Sequence, residues 1–182
     1  MHSWAMQAQT EATSLLGVPV EASEGFEAFF LETHERLFRA LYFVTGDRHD
    51  AEELMQEAFL KLWERWDRIS RIQDPEGYLF RAALNGFRMR RRRAAVALRK
   101  LTPVGSDRDL FHESEIRADV RRMLLELTPR QRAALILVEL LGYSSADAAR
   151  ILRVRPSTVR ALATQGRNAL RTREEDPDAR RA

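Results

Sequence analysis

Arg160 and Arg167 lie two helical turns apart in the run Ser157-Thr-Val-Arg-Ala-Leu-Ala-Thr-Gln-Gly-Arg167, with Thr158, Ala161, Thr164 and Asn168 on the same side. A helix here puts these residues on one outer face and Val159, Leu162, Ala163, Gly166 and Leu170 on the inner one. A guanidinium can donate two parallel hydrogen bonds to a guanine edge or pair with a phosphate, and short neighbours let its helix sit deep in a groove. The residues upstream suit that chemistry. Ser144 with Asp147 has the spacing of a capping box for a short helix to Leu152, Arg153–Pro156 makes a turn, and Ser157 caps the next helix. A short helix, a tight turn and a polar second helix make a helix-turn-helix, whose second helix enters the major groove of DNA. A plain helical hairpin with a solvated face has the same outline. Solvated faces mix both signs, however, and residues 150–173 carry seven Arg and no acid.

A second cationic run lies upstream. Residues 81–100 hold eight basic residues and no acid, with Arg88, Arg90, Arg91, Arg92 and Arg93 nearly contiguous. Trp63, Trp66, Tyr78 and Phe87 stand in neighbouring segments. Arg beside aromatic rings suits single-stranded DNA, where phosphates pair and bases stack. Trp63, Trp66 and Phe87 nevertheless fall on apolar stripes and read as core. A third surface has the opposite sign: residues 44–77 hold nine acids against five basic residues, and Asp50, Glu53, Gln56, Glu57, Lys61 and Glu64 line one face. Such a face is solvated by default, and it can also dock a basic partner.

The elements that position these surfaces are all helical. Residues 24–45 form one helix on Phe26, Phe29, Phe30, Thr33, Leu37, Leu41 and Val44, ended by Gly46. Residues 48–66 form another on Ala51, Leu54, Met55, Ala58, Phe59, Leu62, Trp63 and Trp66, followed by a connector at 67–73. Asp74-Pro75-Glu76 reads as an N-cap, a Pro at the first helical position and an acid in the first turn of a third helix, which runs into the Arg block. Residues 115–127 form a helix, Thr128-Pro129 opens the next, and Gly142 stops it. The pattern predicts an all-α chain of two small helical domains joined by a flexible linker, the second containing the helix-turn-helix. The expected boundaries are a loosely ordered extension at 1–23, a first domain at 24–93, a linker at 94–114, a second domain at 115–173 and a charged tail at 174–182. The linker, about 22 residues, reaches at most roughly 75 Å when extended, or roughly 20 base pairs of duplex.

Composition excludes several classes. The chain has no cysteine, so disulfides, thiolate metal sites and cysteine nucleophiles are ruled out. Its four His are scattered without metal-ligand spacing. No nucleophile–base pair and no phosphate-cradling Gly loop stands out, so no enzyme, metal or cofactor is expected. No apolar run approaches the roughly 18 residues of a membrane helix. Residues 1–22 lack the basic start and apolar stretch of a signal peptide. A cytoplasmic location without membrane insertion is expected.

Several long motifs, in order, resemble one family. Thr45-Gly-Asp-Arg-His-Asp-Ala-Glu-Glu-Leu-Met-Gln-Glu-Ala-Phe-Leu-Lys-Leu-Trp63 is similar to the core-polymerase-binding segment of bacterial sigma factors. Asp74-Pro-Glu-Gly-Tyr-Leu-Phe-Arg-Ala-Ala-Leu-Asn-Gly-Phe-Arg-Met-Arg-Arg-Arg-Arg93 resembles the adjoining −10 segment. Leu127-Thr-Pro-Arg-Gln-Arg-Ala-Ala-Leu135, Leu141-Gly-Tyr-Ser-Ser-Ala-Asp-Ala-Ala-Arg-Ile-Leu152 and Ser157-Thr-Val-Arg160 resemble the −35-binding domain. Over residues 24–172 the layout resembles the extracytoplasmic-function (ECF) group of the sigma-seventy family.

The resemblance implies roles. Asp50, Glu53, Gln56, Glu57 and Leu60 would face the clamp helices of the largest subunit of core RNA polymerase, and the flap region would be a further polymerase contact. Asn85, Arg88, Arg90, Arg91 and Arg92 would contact the −10 DNA as it opens, while the connector 67–73 helps hold a flipped base. Ser157, Thr158, Arg160, Thr164 and Arg167 would read the −35 element. The partners implied are core RNA polymerase and promoter DNA, with an anti-sigma factor left open as a third. The chain departs from the family pattern in two places: Arg153 and Ser157 stand where many relatives have Gly, and Thr164-Gln165-Gly166 replaces the usual His and Arg of the recognition helix, so a different −35 sequence is expected. Gly166 is expected to weaken the recognition helix slightly. The function expected is an alternative sigma factor that directs promoter recognition and promotes −10 melting. Two other readings compete. A helix-turn-helix regulator that does not engage polymerase would leave the Asp50–Leu60 face unused. A DNA-cleaving enzyme would need clustered metal-binding carboxylates facing the basic runs, which are free of acids.

Overall fold

The computed structural model describes residues 20–98 and 115–174, and every regular element among them is helical. The first group comprises α1 (Val20–Thr45), α2 (Arg48–Trp63), the short α3 (Trp66–Ile69) and α4 (Pro75–Leu98). The second comprises α5 (Glu115–Glu126), α6 (Pro129–Leu135) with a π-helical turn at Ile136–Leu140, α7 (Ser145–Leu152) and α8 (Pro156–Glu174). Some boundaries differ from expectation. α1 begins at Val20 rather than at 24, and α4 continues to Leu98, beyond the expected start of the linker. Residues 1–19, 99–114 and 175–182, which carry most of the expected extension, linker and tail, lie outside the described residues.

Local chemistry sets the helix starts. The Asp47 carboxylate accepts the Asp50 backbone N–H, and Asp74 Oδ1 accepts that of Gly77 at 2.7 Å. Thr128 and Gln131 form a reciprocal capping box, and Ser144 Oγ accepts the Asp147 N–H at 3.1 Å. Each cap satisfies a backbone donor that has no partner inside its helix. Gly46 at φ +78 and Gly142 at φ +72 reverse the chain after α1 and after the π turn. α8 starts two residues earlier than expected, since a Ser157 cap would put its first residue at Thr158. Pro156 takes the first helical position, which its fixed φ and missing N–H suit, so Ser157 is already inside the helix and the Arg155 carbonyl receives the Thr158 and Val159 N–H groups.

The first group closes over Leu37, Leu41 and Val44 of α1, Leu54, Ala58 and Leu62 of α2, and Leu79, Phe80 and Ala83 of α4, all buried. Each fully buried Leu contributes about 1.5–3 kcal/mol. Phe26 packs edge-on against both Trp63 (4.8 Å) and Trp66 (5.3 Å), and Phe30 against Phe59 (4.8 Å). Phe59, Trp66 and Phe87 are buried in the core, Phe26 and Phe30 pack against it, and Trp63 is half-buried. The second group is built on Leu124, Leu127, Ala134, Leu137, Ile151, Val159 and Ala163. The two groups also share apolar surface: Phe80 of α4 meets Tyr143 with ring centroids 5.9 Å apart, and buried residues of both belong to one continuous cluster.

Candidate nucleic-acid interface

α7, the turn and α8 form the helix-turn-helix. Val159, Ala163 and Gly166 are buried beneath α8, while Ser157, Thr158, Arg160, Ala161, Thr164, Arg167 and Asn168 are exposed. The structure thus presents all five expected −35 residues along one accessible face. Arg160 has no ion-pair partner among the described residues. Arg167 is restrained: its Nη1 pairs with Glu139 Oε1 at 3.0 Å and its Nη2 donates to Thr164 Oγ1 at 3.2 Å. The turn holds Arg153 at φ 55, ψ 49, in the left-handed region. Glycine adopts this conformation freely, whereas a side chain with a Cβ is strained in it.

The second cationic surface lies on α4. Arg88, Arg91 and Arg92 point to solvent, and Asn85 is half-buried. Arg91 lies over the Phe87 ring at 5.9 Å. Arg88 reaches toward the Leu152 carbonyl at the end of α7, at a long 3.5 Å. Between α4 and the helix-turn-helix lies a cleft of about 630 Å³, with Leu84, Phe87 and Ala133 in its lining and Arg88, Arg91 and Arg130 among its polar groups. The expected connector at 67–73 is partly helical, since α3 includes Ile69, and it exposes Ile72.

Arg90 departs from the expected grouping. Its side chain turns away from Arg88, Arg91 and Arg92 and lies over α2, where Nη1 meets Glu53 Oε2 at 2.6 Å and Nη2 meets Glu57 Oε1 at 2.5 Å. Asp50 Oδ1 is 3.8 Å away. The cause is the helix period: Arg90 follows Gly86 by one turn, and Gly86 packs against Leu54 of α2. The hydrogen bond from Arg90, with its charge, holds the Glu57 carboxyl below the usual carboxylate range. The same bond, followed by that to Glu53, raises Arg90.

The acidic face itself is as the sequence places it. Asp50, Gln56 and Leu60 are exposed, and Glu53 and Glu57 are half-exposed. Much of its charge is already matched, by Arg90 and by Lys61 at 3.6 Å from Glu57, and His49 Nε2 lies 3.1 Å from Glu53. Leu60, 62 % exposed, stands beside these carboxylates as an uncovered apolar side chain. No described helix is long and apolar enough to cross a membrane.

Sequence families match both halves. Sigma-70 region 2 covers residues 29–96, and Sigma-70 region 4 covers residues 117–170. The chain is 33% identical over 149 residues to the ECF RNA polymerase sigma factor SigE of Mycolicibacterium smegmatis, spanning 75% of this chain and 56% of that relative. It is 31% identical over 149 residues to the ECF RNA polymerase sigma factor SigM of Mycobacterium tuberculosis, spanning 80% of this chain and 74% of SigM. In fold it is similar to the sigma factor RpoE in complex with the anti-sigma factor NepR from Bartonella quintana. The TM-score is 0.70 and the identity 22%, covering 84% of this chain and 98% of that one. It is also similar to CnrH in complex with the cytosolic domain of CnrY, with a TM-score of 0.61 and 21% identity over 86% of this chain and 96% of the other. A helix-turn-helix with an open basic face, a separate arginine-rich helix and these matches have one common meaning: the chain belongs to the ECF group of the sigma-70 family, the alternative sigma factors of transcription initiation.

Proposed function

We propose that this sigma factor joins core RNA polymerase through the α2 face and carries promoter contacts on α4 and α8. Asp50, Glu53, Gln56, Glu57 and Leu60 meet the clamp helices of the polymerase largest subunit. The carboxylates supply orientation, and Leu60 supplies apolar area that loses water on docking. Region 4 approaches the flap region.

On DNA, Ser157, Thr158, Arg160, Thr164 and Arg167 face the −35 major groove. Thr158 and Ala161 are short enough to let α8 enter, and Arg160 and Arg167 reach phosphates or guanine edges. Asn85, Arg88, Arg91 and Arg92, with the connector after α3, hold the −10 strand as it opens. Extruding a base there costs a few kcal/mol, offset by stacking and phosphate contacts. The protein works by binding alone, in the cytoplasm where polymerase and DNA meet. Its domains follow the two family segments, with residues between them as linker.

One observation carries this reading: α8 buries Val159, Ala163 and Gly166 while exposing Thr158, Arg160, Thr164 and Arg167, behind a turn and a capped helix. Run-off transcription with purified core polymerase and a pool of promoter fragments tests it. Discrete start sites that need the protein, and that weaken on Glu53→Gln with Gln56→Ala, are the expected result. DNA binding without core association or initiation would sink it. Both solved relatives named above are held by a second protein, described for RpoE as an anti-sigma factor. An anti-sigma partner is accordingly part of this proposal, and pull-down with tagged full-length protein from the source cell checks it.

A further inference from the structure

We propose that Arg90 is a positioning residue for polymerase docking and not a DNA contact: it holds the carboxylates of Glu53 and Glu57 in one orientation. The proposal rests on the reading of α2 as the polymerase-binding face.

The arrangement follows from spacing on two helices. Glu53 and Glu57 are one turn apart on α2, with Asp50 a turn before them, so their carboxylates form a row. On α4, Gly86 and Arg90 are also one turn apart. A Cβ on Gly86 would come within 3.1 Å of Leu54 and 3.8 Å of Glu57 Oε2, so α4 runs close against α2 at that point. One turn later the Arg90 side chain extends over the acidic row. Its planar fork gives one nitrogen to each glutamate, Nη1 to Glu53 and Nη2 to Glu57. A lysine ammonium is a point charge and cannot reproduce that two-armed geometry.

The contact leaves one oxygen of each glutamate for other donors. Arg90 takes Glu53 Oε2 and Glu57 Oε1. Glu53 Oε1 meets His49 and Glu57 Oε2 meets Lys61, both more than half exposed. Arg90 itself is 28% exposed, the least of the three main partners. Two flexible side chains are thereby fixed before any partner arrives, which lowers the ordering cost of docking. The same bridge ties the helix that meets polymerase to the helix that carries the −10 arginines.

The test uses the full chain and core polymerase. Arg90→Gln is expected to weaken core binding about tenfold, the loss that follows when two glutamates must be ordered on docking. Arg90→Lys should recover only part of it. In a Glu53→Gln, Glu57→Gln background, Arg90→Gln should have no further effect on core binding, as expected if Arg90 acts through those two carboxylates. In holoenzyme binding to single-stranded −10 DNA, Arg90→Gln should leave the slope of log affinity against log salt unchanged. Arg91→Gln should reduce that slope by about 0.7. A reduced slope with unchanged core affinity for Arg90→Gln would overturn the proposal and return Arg90 to the DNA surface. Tighter core binding would also overturn it, showing that Arg90 competes with polymerase for the carboxylates. Failure of the wild-type chain to bind core is a separate result, and it overturns the sigma reading of this face together with the proposal.

Discussion

Arg132 Nη1 donates to the Val44 carbonyl oxygen at 2.7 Å, joining residues 88 apart in sequence and binding region 4 to the C-terminal end of α1. Its Nη2 reaches the Leu125 and Leu127 carbonyls at 2.9 and 3.1 Å. The contact has counterparts. Arg121 donates to the Gly46 carbonyl at 3.1 Å, and Arg36 donates in the other direction to the Leu141 carbonyl at 2.5 Å. The acceptors across the boundary, Val44, Gly46 and Leu141, lie at the ends of α1 and of the π turn, where carbonyls lack partners and the helix dipole is negative. Leu125 sits so close on Gly46 that any Cβ there would collide with it. The two sigma regions are thus docked through arginine caps on each other's helix ends.

Arg132→Ala should therefore destabilise the docked state. Arg132 is only 5% exposed, and burial pushes its guanidinium below its ordinary pKa, with Arg91 nearby adding to the effect. Removing the side chain leaves Val44 and Leu127 carbonyls short of donors and opens a cavity, at a cost of about 2–4 kcal/mol. Urea unfolding reads this loss. Fluorophores on α1 and α8 should show a longer mean separation in the variant than in the wild type. An unchanged separation would mean that apolar contacts such as Phe80 with Tyr143 suffice to hold the two regions together.

Arg153→Gly should stabilise the helix-turn-helix. The native residue holds φ 55, ψ 49, a conformation that costs an L side chain roughly 1–2 kcal/mol. Glycine also increases the entropy of the unfolded chain, which offsets part of the gain. A net increase of about 0.5–1 kcal/mol is expected and can be read from a thermal melt.

Gly166→Ala should help as well. A Cβ at this buried position would lie 3.5 Å from Leu127 Cδ1 and 3.8 Å from both Leu135 Cδ2 and the Gln131 carbonyl oxygen, all ordinary contact distances. Alanine in a helix interior is favoured over glycine by about 0.5–1 kcal/mol. The melting temperature should rise, with −35 DNA affinity unchanged because the added methyl points away from the exposed face of α8.

Glu57 provides a pH test of the Arg90 bridge. Its carboxyl is held below the usual range, first by the hydrogen bond from Arg90. A depressed carboxylate contributes stability that is fully present above its unfolded pKa and is lost as pH falls through the folded value. The stability difference between wild type and Arg90→Gln should accordingly shrink on the acid side. Carbon NMR of the Glu57 carboxyl should give a midpoint below the ordinary range in the wild type and a higher one in Arg90→Gln.

What could be read from the chain follows the range of the forces involved. The caps at Asp74, Thr128 and Ser144 are legible because each bond spans only three residues. The inner and outer faces of α8 are legible because burial follows the helical period. The π turn at Ile136–Leu140 is not, since the Leu141 N–H bonds the Ile136 carbonyl without interrupting the apolar run. Arg90 and Arg132 escape for a different reason. In the sequence both read as ordinary charged positions, and only the packing of a distant helix shows that one faces carboxylates and the other is buried. The continuity between the two helical groups is hidden likewise, because periodicity reports that a face is buried but not against which partner.

Glu139 should restrain promoter binding. It pairs with Arg167 at 3.0 Å, and both side chains are about half exposed. A pair this exposed is worth about 0–1 kcal/mol, so releasing Arg167 can raise −35 duplex affinity by at most about fivefold. An exposed pair is screened by salt, so the effect of Glu139→Gln should be largest at low salt and fade as screening increases. Arg167→Ala should abolish the gain, because the substitution acts through that guanidinium. Titration of a −35 duplex with wild type, Glu139→Gln, Arg167→Ala and the double variant at two salt concentrations separates the contributions. A gain that survives in the double variant would show that Glu139 acts on DNA directly, by general repulsion, and that Arg167 is free to reach the groove without giving up its partner.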